Sequence, residues 1–291
     1  MPAWFRFVGE PLIQIERLPT SDYAPSKNLN YVDVFGLHDL YKDMAYRANI
    51  ILVGPKGTGK TLSVAAFAAL DDSPIITYDC SEDVRRSNLI GQNYIRGGET
   101  PFILGPLTTA FEIANEAGKC ILALEEGNAL TPQMQKILNS CSDFRRKIEV
   151  PEAGRVFKLN GGAKLWIVLT MNTAAYAGVY ALNEDLKSRF RLVDVNYPAP
   201  KDERKIVLSG AVGKVASLDV QVIDSVIKLA HETRQHALDY QLSTRDVVQI
   251  VEDIAYLGVD RAMRVAIGKW EGDDKNTVAE RITSIFGIKL R

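Results

Sequence analysis

Residues 54–61 read Gly54-Pro55-Lys56-Gly57-Thr58-Gly59-Lys60-Thr61, which fits the pattern G-x-x-x-x-G-K-[ST]. The apolar run 50–53 precedes this stretch and predicts a buried strand, and the run 62–68 follows it and predicts a helix. Glycines let such a loop wrap tightly, so that backbone N–H groups point at a phosphate beside the positive end of the helix dipole. The stretch therefore predicts a nucleotide-binding P-loop formed by all eight residues. Lys60 would reach the β- and γ-phosphates, and the Thr61 hydroxyl would bind Mg²⁺.

Length and composition set the class of protein. The 291 residues suffice for one large domain or two ordinary ones. The formal net charge of −1 predicts no bulk attraction to nucleic acid or to an anionic membrane, although a local basic patch stays open. Three cysteines with no C-x-x-C pair suit neither a disulfide scaffold nor a zinc site. The cysteine pattern makes a reducing cytoplasm the simplest compartment. The N-terminus shows no signal-peptide pattern, and no long apolar run predicts a membrane span.

The pattern along the chain changes twice. Residues 1–30 are rich in proline and aromatic residues and predict an extended arm, which either lies on a neighbouring subunit or is a poorly ordered tail. Residues 31–197 alternate short apolar runs with helical segments, which predicts a mostly parallel sheet with helices on both faces. After Pro198-Ala199-Pro200 only helical patterns follow, so residues 201–291 predict a separate helical domain. The predicted strands are 50–53, 75–78, 120–124, 165–169 and 192–195.

Two acidic residues follow one of the predicted strands. The apolar run 120–124 leads directly into Glu125 and Glu126. In P-loop enzymes that hydrolyse nucleotides, the first acid at such a strand end holds Mg²⁺, and the second orients and deprotonates the attacking water. Glu125 is one methylene longer than the aspartate usual at the first position, which either weakens the metal site or is absorbed by small backbone shifts.

Several motifs, in the right order over about residues 31–285, resemble MoxR-type AAA+ ATPases, most closely the branch containing CbbQ, NorQ and cobaltochelatase-type ATPases. Glu125 and Ala129 depart from the family's usual Asp and Arg. The motifs that carry the resemblance are Leu124-Glu125-Glu126-Gly127-Asn128-Ala129-Leu130, Leu89-Ile90-Gly91-Gln92 with Gly105-Pro106-Leu107, Leu169-Thr170-Met171-Asn172, Leu182–Phe190 and Leu242-Ser243-Thr244-Arg245-Asp246.

The resemblance implies a fold and an activity. The fold is α/β: a P-loop AAA+ core over 31–197 with a mostly parallel five-stranded sheet, followed by a small all-helical lid domain over 201–291. The activity is hydrolysis of ATP with Mg²⁺ as cofactor, in a ring of identical subunits, expected to be a hexamer. In this family such a ring remodels or matures a protein client in the manner of a chaperone.

The resemblance also implies roles for single residues. Asn172 would hold the attacking water or the γ-phosphate, although an isolated Asn also suits an Asx turn. Arg189 would reach the γ-phosphate of a neighbouring subunit; an ion pair with nearby acids is the alternative, and Arg191 is a competing candidate. Arg245 would contact the phosphates in the same subunit. A cation in the first turn opposes the helix dipole, which favours a functional reason over a merely solvated residue.

Two predicted hairpins would face a partner. Residues 93–102 predict one hairpin with Gly97-Gly98 at its turn, and residues 147–163 predict a second. In the resembling family such hairpins line or approach the central pore, so Tyr94, Arg96 and Phe102 are candidate client contacts. The alternative, that these side chains pack against their own domain, is at least as strong for Phe102.

Two other functions compete with a protein-remodelling ATPase. A nucleic-acid motor or loader is kept open by basic residues at 85–86, 96 and 145–147. A slow, nucleotide-dependent scaffolding ring is suggested by Glu125 and Ala129.

Overall fold

The structure is a computed structural model, and it describes residues 15–95, 97, 100–173, 180–236 and 238–289. These residues form two compact units. The α/β unit holds the described residues up to Leu29, Leu37–Gly54 and Lys60–Asp194, and the helical unit holds Asn30–Gly36, Pro55–Gly59 and the chain from Val195 onward. The middle of the P-loop therefore packs with the helical unit, whereas the sequence pattern groups it with the α/β core.

The α/β unit contains the strands and the first helices. Its strands are β1 (Ile15–Glu16), β2 (Asn49–Val53), β3 (Ile75–Asp79), β4 (Gly91–Asn93), β5 (Phe102–Leu104), β6 (Lys119–Glu125), β7 (Lys147–Val150), β8 (Arg155–Lys158), β9 (Lys164–Met171) and β10 (Phe190–Asp194). Its helices are α1 (Leu37–Met44), α2 (Lys60–Leu70), α3 (Arg86–Ile90), α4 (Pro106–Ala117), α5 (Pro132–Ser142) and α6 (Glu184–Arg189).

The central sheet has five strands in the order β10-β2-β9-β6-β3, and all four pairings are parallel. This confirms the predicted α/β fold with its five-stranded sheet. Strands β2, β6 and β9 are apolar and buried almost throughout, as strands covered on both faces must be. Because the strands are parallel, their carboxyl ends meet at one edge, where Val53 pairs with Met171 and Asp79 pairs with Glu125.

An aromatic cluster holds α2, the helix that follows the P-loop. Trp166 on β9 is fully buried, and its ring packs edge-on against Tyr41 and Phe67 at centroid distances of 5.4 and 5.6 Å. The Tyr41 hydroxyl lies 2.8 Å from Ser63 Oγ on α2. Buried aromatic pairs add specific geometry to apolar burial, so the cluster fixes α2 against the sheet.

Antiparallel strand pairs are present at both predicted hairpins, and Gly98 of the first predicted turn lies outside the described residues. Strands β4 and β5 pair antiparallel, as do β7 and β8, and the second turn is a short 3-10 helix closed by Gly154 in the left-handed region. Strand β1 pairs parallel with β5, so Ile15–Glu16 adds to the first hairpin of its own chain. Arg17 and Thr20 then both hydrogen-bond to Glu116 on α4.

The helical unit has its own apolar core. Its helices are α7 (Pro200–Ser209), α8 (Val220–Gln235), α9 (Thr244–Leu257), α10 (Val259–Ala266) and α11 (Gly272–Phe286). Helix α9 begins with the predicted capping box, in which Ser243 and Asp246 each accept a hydrogen bond from the other's backbone N–H. Within the described part of the chain, no helix has the length and apolar character needed to cross a membrane.

Candidate nucleotide site

The ends of β2 and β6 bring Lys60, Thr61 and Glu125 together in the α/β unit. Lys60 Nζ donates to the Gly54 carbonyl at 2.8 Å, and Thr61 Oγ1 donates to Glu125 Oε2 at 2.8 Å. Both P-loop residues lie in the first turn of α2, where the helix dipole attracts anions. A hydroxyl and a carboxylate at this separation offer the oxygen ligands that Mg²⁺ prefers, so the residues fit the predicted metal.

Glu126 turns sharply away from β6. It has φ 50° and ψ 40°, the left-handed region, which costs a residue with a side chain about 1–2 kcal/mol. Its carbonyl accepts from Ala129 N at 2.8 Å, and its side chain is exposed, whereas Glu125 is half-buried. The turn thus places two successive carboxylates in different surroundings, and their roles in metal binding and water activation stay predictions. Strain of this kind concentrates at functional sites.

Asn172 lies at the same edge of the sheet. It directly follows β9, the strand between β2 and β6, and Gly54 N donates to the carbonyl of the preceding Met171 at 3.1 Å. The structure therefore places Asn172 next to the start of the P-loop, at the strand tip where the sequence predicts it.

Asp79 is an acidic neighbour that the sequence reading missed. It ends β3, pairs in register with Glu125, and precedes Cys80, whose N–H donates to the Glu125 carbonyl at 2.9 Å. Burial and, to a smaller extent, the carboxylates of Asp79, Glu125 and Glu126 together raise the pKa of the Cys80 thiol to about 12. The apolar run before Asp79 signals a strand, but nothing in the sequence signals that β3 lies beside β6.

Arg189 is the last residue of α6 and is held within its own chain. Its Nη1 donates to the Asp185 carbonyl at 2.6 Å and lies 3.8 Å from Asp185 Oδ1. The pKa of Asp143 is lowered by hydrogen bonds from Arg145 and, to a smaller extent, by the charge of Arg189. The competing candidate, Arg191, is exposed on β10 at the edge of the central sheet.

The middle of the P-loop packs against the start of α9 in the helical unit. Gly57 has φ +72°, and a Cβ atom there would lie 2.5 Å from Ser243 Oγ and 3.5 Å from Arg245 Cβ. A side chain at position 57 would therefore force Ser243 or the loop to shift. Arg245 therefore begins its helix beside the P-loop, and its contact with phosphate in the same subunit stays a prediction.

The candidate client contacts on the first hairpin differ in exposure. Tyr94 is 46% exposed and its hydroxyl accepts from Gln92 Nε2 at 2.6 Å, whereas Phe102 is 0% exposed and belongs to the apolar core. The prediction that Phe102 contacts a client is therefore wrong, because Phe102 faces inward from β5. Arg96 lies outside the described residues.

The chain matches one family model and is similar to several known proteins. Residues 49–190 match the family model described as the AAA domain of the dynein-related subfamily. The chain is 28% identical over 254 residues to the uncharacterized protein YojN of Bacillus subtilis (strain 168), covering 84% of this chain and 80% of that protein. It is equally 28% identical over 262 residues to an uncharacterized protein of Staphylococcus aureus (strain NCTC 8325 / PS 47), covering 86% and 93%.

A solved structure of a Thermotoga maritima RuvB mutant is similar with a TM-score of 0.48 and 13% identity, over 91% of this chain and 76% of that chain. The match to the AAA domain model covers residues 49–190, just under half of the chain. The chain from Val195 onward, which includes Arg245, lies outside this match.

Proposed function

We propose that this chain hydrolyses ATP with Mg²⁺ in a hexameric ring and uses the energy to remodel or mature a protein client, as MoxR-type AAA+ ATPases do. The observation that supports it best is the 2.8 Å contact between the Thr61 hydroxyl and the Glu125 carboxylate. Thr61 lies in the same helix turn as Lys60. A hydroxyl, a carboxylate and an ammonium group gathered at a helix N-terminus fit a metal–triphosphate better than any structural role.

Each residue has a proposed role in hydrolysis. Lys60 binds the β- and γ-phosphate oxygens, and Glu126 accepts a proton from the attacking water while Asn172 orients that water. Thr61 and Glu125 would hold Mg²⁺, which supplies positive charge against the phosphate oxygens. Arg245, at the start of α9 beside Gly57, contacts the phosphates in the same subunit.

Arg189 is proposed to act on the nucleotide of a neighbouring subunit. Its present partner, Asp185, is largely exposed at its side chain, and an exposed ion pair is worth only about 0–1 kcal/mol. Replacing the ion pair between Arg189 and Asp185 by a contact between Arg189 and a γ-phosphate therefore costs little free energy. An arginine supplied in this way speeds phosphoryl transfer about 10³–10⁵-fold where it has been measured.

Two exposed apolar side chains of the α/β unit are candidate contacts for a protein client. Ile95, beyond β4, is 88% exposed and Phe144, after α5, is 94% exposed. Both side chains are available for contact with a protein client.

The nucleic-acid alternative depends on a cleft of about 400 Å³ lined in part by Arg86, Lys136, Arg145 and Lys147. Three of its cations are already paired with carboxylates: Arg86 with Glu152, Arg145 with Asp143 and Lys147 with Glu149. The cleft therefore carries little net positive charge, and phosphate binding needs uncompensated charge.

One assay separates the three functions. ATP hydrolysis is measured for the wild type alone and with single- or double-stranded DNA, beside Glu126→Gln, which keeps the side-chain shape but cannot accept the proton. We expect turnover in the wild type, at least about a hundredfold loss in Glu126→Gln, and no stimulation by DNA. Strong stimulation by DNA would refute the protein client, and wild-type turnover no higher than that of Glu126→Gln would favour the scaffolding ring.

A further inference from the structure

Tyr197 contacts the backbone of the phosphate-binding loop within the helical unit. Its hydroxyl donates to the Lys56 carbonyl at 3.3 Å, and Thr58 Oγ1 donates to the Pro55 carbonyl at 3.1 Å. In a trans peptide the C=O and the following N–H point in opposite directions. Fixing the Lys56 carbonyl towards Tyr197 therefore aims the N–H of Gly57 away from Tyr197. Orientation of backbone N–H groups is what makes a P-loop bind phosphate.

Arg234 on α8 holds the ring of Tyr197. Its guanidinium carbon lies 4.0 Å from the centroid of the Tyr197 ring. Arg234 Nε donates to the Leu242 carbonyl at 2.7 Å, so the guanidinium plane is itself fixed. A planar guanidinium over an aromatic face is attracted by the ring electrons, and the Tyr197 ring is restrained against it.

A buried carboxylate anchors Arg234. Glu203 on α7 is fully buried and accepts two hydrogen bonds from Arg234, at 2.8 and 3.0 Å. The same carboxylate accepts from Thr244 Oγ1 at 2.8 Å and lies 3.1 Å from His231 Nε2. Thr244 is the first residue of α9, and it follows Ser243, the residue that packs on Gly57. Glu203 thus holds both the ring of Tyr197 and the helix start that contact the loop.

We propose that Tyr197 is a positioning residue for the phosphate-binding turn: its hydroxyl orients the Lys56–Gly57 peptide towards the diphosphate of the nucleotide, and Arg234 and Glu203 hold its ring. This assignment rests on the proposed function. P-loop N–H groups bind the α- and β-phosphates, which ADP and ATP share. Loss of the Tyr197 hydroxyl should therefore weaken the binding of ADP as well as that of ATP. Because the peptide binds substrate and transition state alike, the effect falls on KM and leaves kcat unchanged.

The test compares Tyr197→Phe, which removes only the hydroxyl, with Tyr256→Phe, the same change at an exposed tyrosine of α9 that lies under Lys214. The dissociation constant for MgADP is measured by calorimetry, together with kcat and KM for ATP and the thermal midpoint without nucleotide. A neutral hydrogen bond predicts a rise of about three- to tenfold in Kd and KM for Tyr197→Phe. We expect kcat and the thermal midpoint to be unchanged, and no effect in Tyr256→Phe.

The outcomes separate the two proposals. If the wild type does not bind MgADP, the nucleotide function and this assignment both fail. If the wild type binds and Tyr197→Phe binds equally well, or if Tyr197→Phe changes kcat rather than KM, only the role of Tyr197 is refuted.

A double-mutant cycle tests the link to Arg234. Arg234→Lys keeps a cation near Glu203 but loses the planar contact with the ring. If Arg234 acts through Tyr197, Arg234→Lys raises the Kd for MgADP in the wild type and has no further effect in Tyr197→Phe. Additive effects on Kd, which a purely structural loss of stability would give, would refute the link.

Discussion

Gly57→Ala tests the packing of the P-loop against α9. The added Cβ would lie 2.6 Å from Ser243 Cβ, about 1 Å inside the ordinary contact distance between carbon atoms. Alanine at φ +72° costs about 1–2 kcal/mol. The overlap adds about 1–3 kcal/mol, as overpacking usually does. Because phosphate binding needs the loop in a wrapped conformation, we expect the cost to appear mainly as lost affinity.

The sum of about 2–5 kcal/mol predicts that the Kd for MgADP rises at least about 30-fold. Calorimetry measures the affinity, and urea denaturation measures how much of the cost falls on the free energy of unfolding. Gly213→Ala is the matched control, because Gly213 in the same unit has φ +57° with open space around it and therefore isolates the backbone term.

The steric part of the prediction can be reversed. Ser243→Gly removes both clashing atoms, and glycine is a tolerated N-cap. We expect Gly57→Ala with Ser243→Gly to recover about 1–3 kcal/mol of the lost binding energy. Wild-type affinity in Gly57→Ala, or a double variant no better than the single one, would refute this account of the contact.

Three further predictions concern other parts of the molecule. Arg189→Ala should abolish ATP hydrolysis while sparing MgADP affinity; near-normal turnover would show that the arginine finger is misassigned. Phe102→Ala should lower the free energy of unfolding by about 3–5 kcal/mol in urea, because Phe102 is fully buried, whereas Tyr94→Ala should change it little; equal effects would contradict the inward orientation. Asp246→Asn should be less stable than the wild type at neutral pH, with a difference that shrinks as the pH falls below about 4. Denaturation at several pH values measures this, and a difference independent of pH would refute it.

The sign of the Asp246 prediction follows from its surroundings. Burial raises the pKa of this carboxyl, but hydrogen bonds from Lys269, Ser243 and Tyr240 together lower it by more than burial raises it. Its pKa in the folded state therefore lies below the ordinary value. A carboxylate with a lowered pKa stabilises the fold above its unfolded-state pKa and loses that contribution as the pH falls through its folded-state pKa. The asparagine variant has no such contribution to lose.

The strands and the P-loop were predictable because their signals are local. Buried strands in a parallel sheet need continuous apolar runs, and β2, β6 and β9 appear where those runs lie. The meeting of Thr61 with Glu125 also follows from the sequence, because parallel strands end at a common edge. The side-chain direction of Phe102 was not predictable in this way. A hairpin pattern gives alternation but does not say which face is buried.

The sequence by itself determined the chemistry of the proposed site: a glycine loop, a lysine, a threonine and two acids in an order that suits a metal–triphosphate. The tertiary structure alone decided that Pro55–Gly59 packs with the helical unit, that Gly57 touches Ser243, and that Tyr197 reaches the Lys56 carbonyl. The physical reason is separation along the chain. Residue types and strand–loop–helix order are encoded within a few residues, whereas these contacts join segments more than a hundred residues apart and depend on how the helices pack around Glu203.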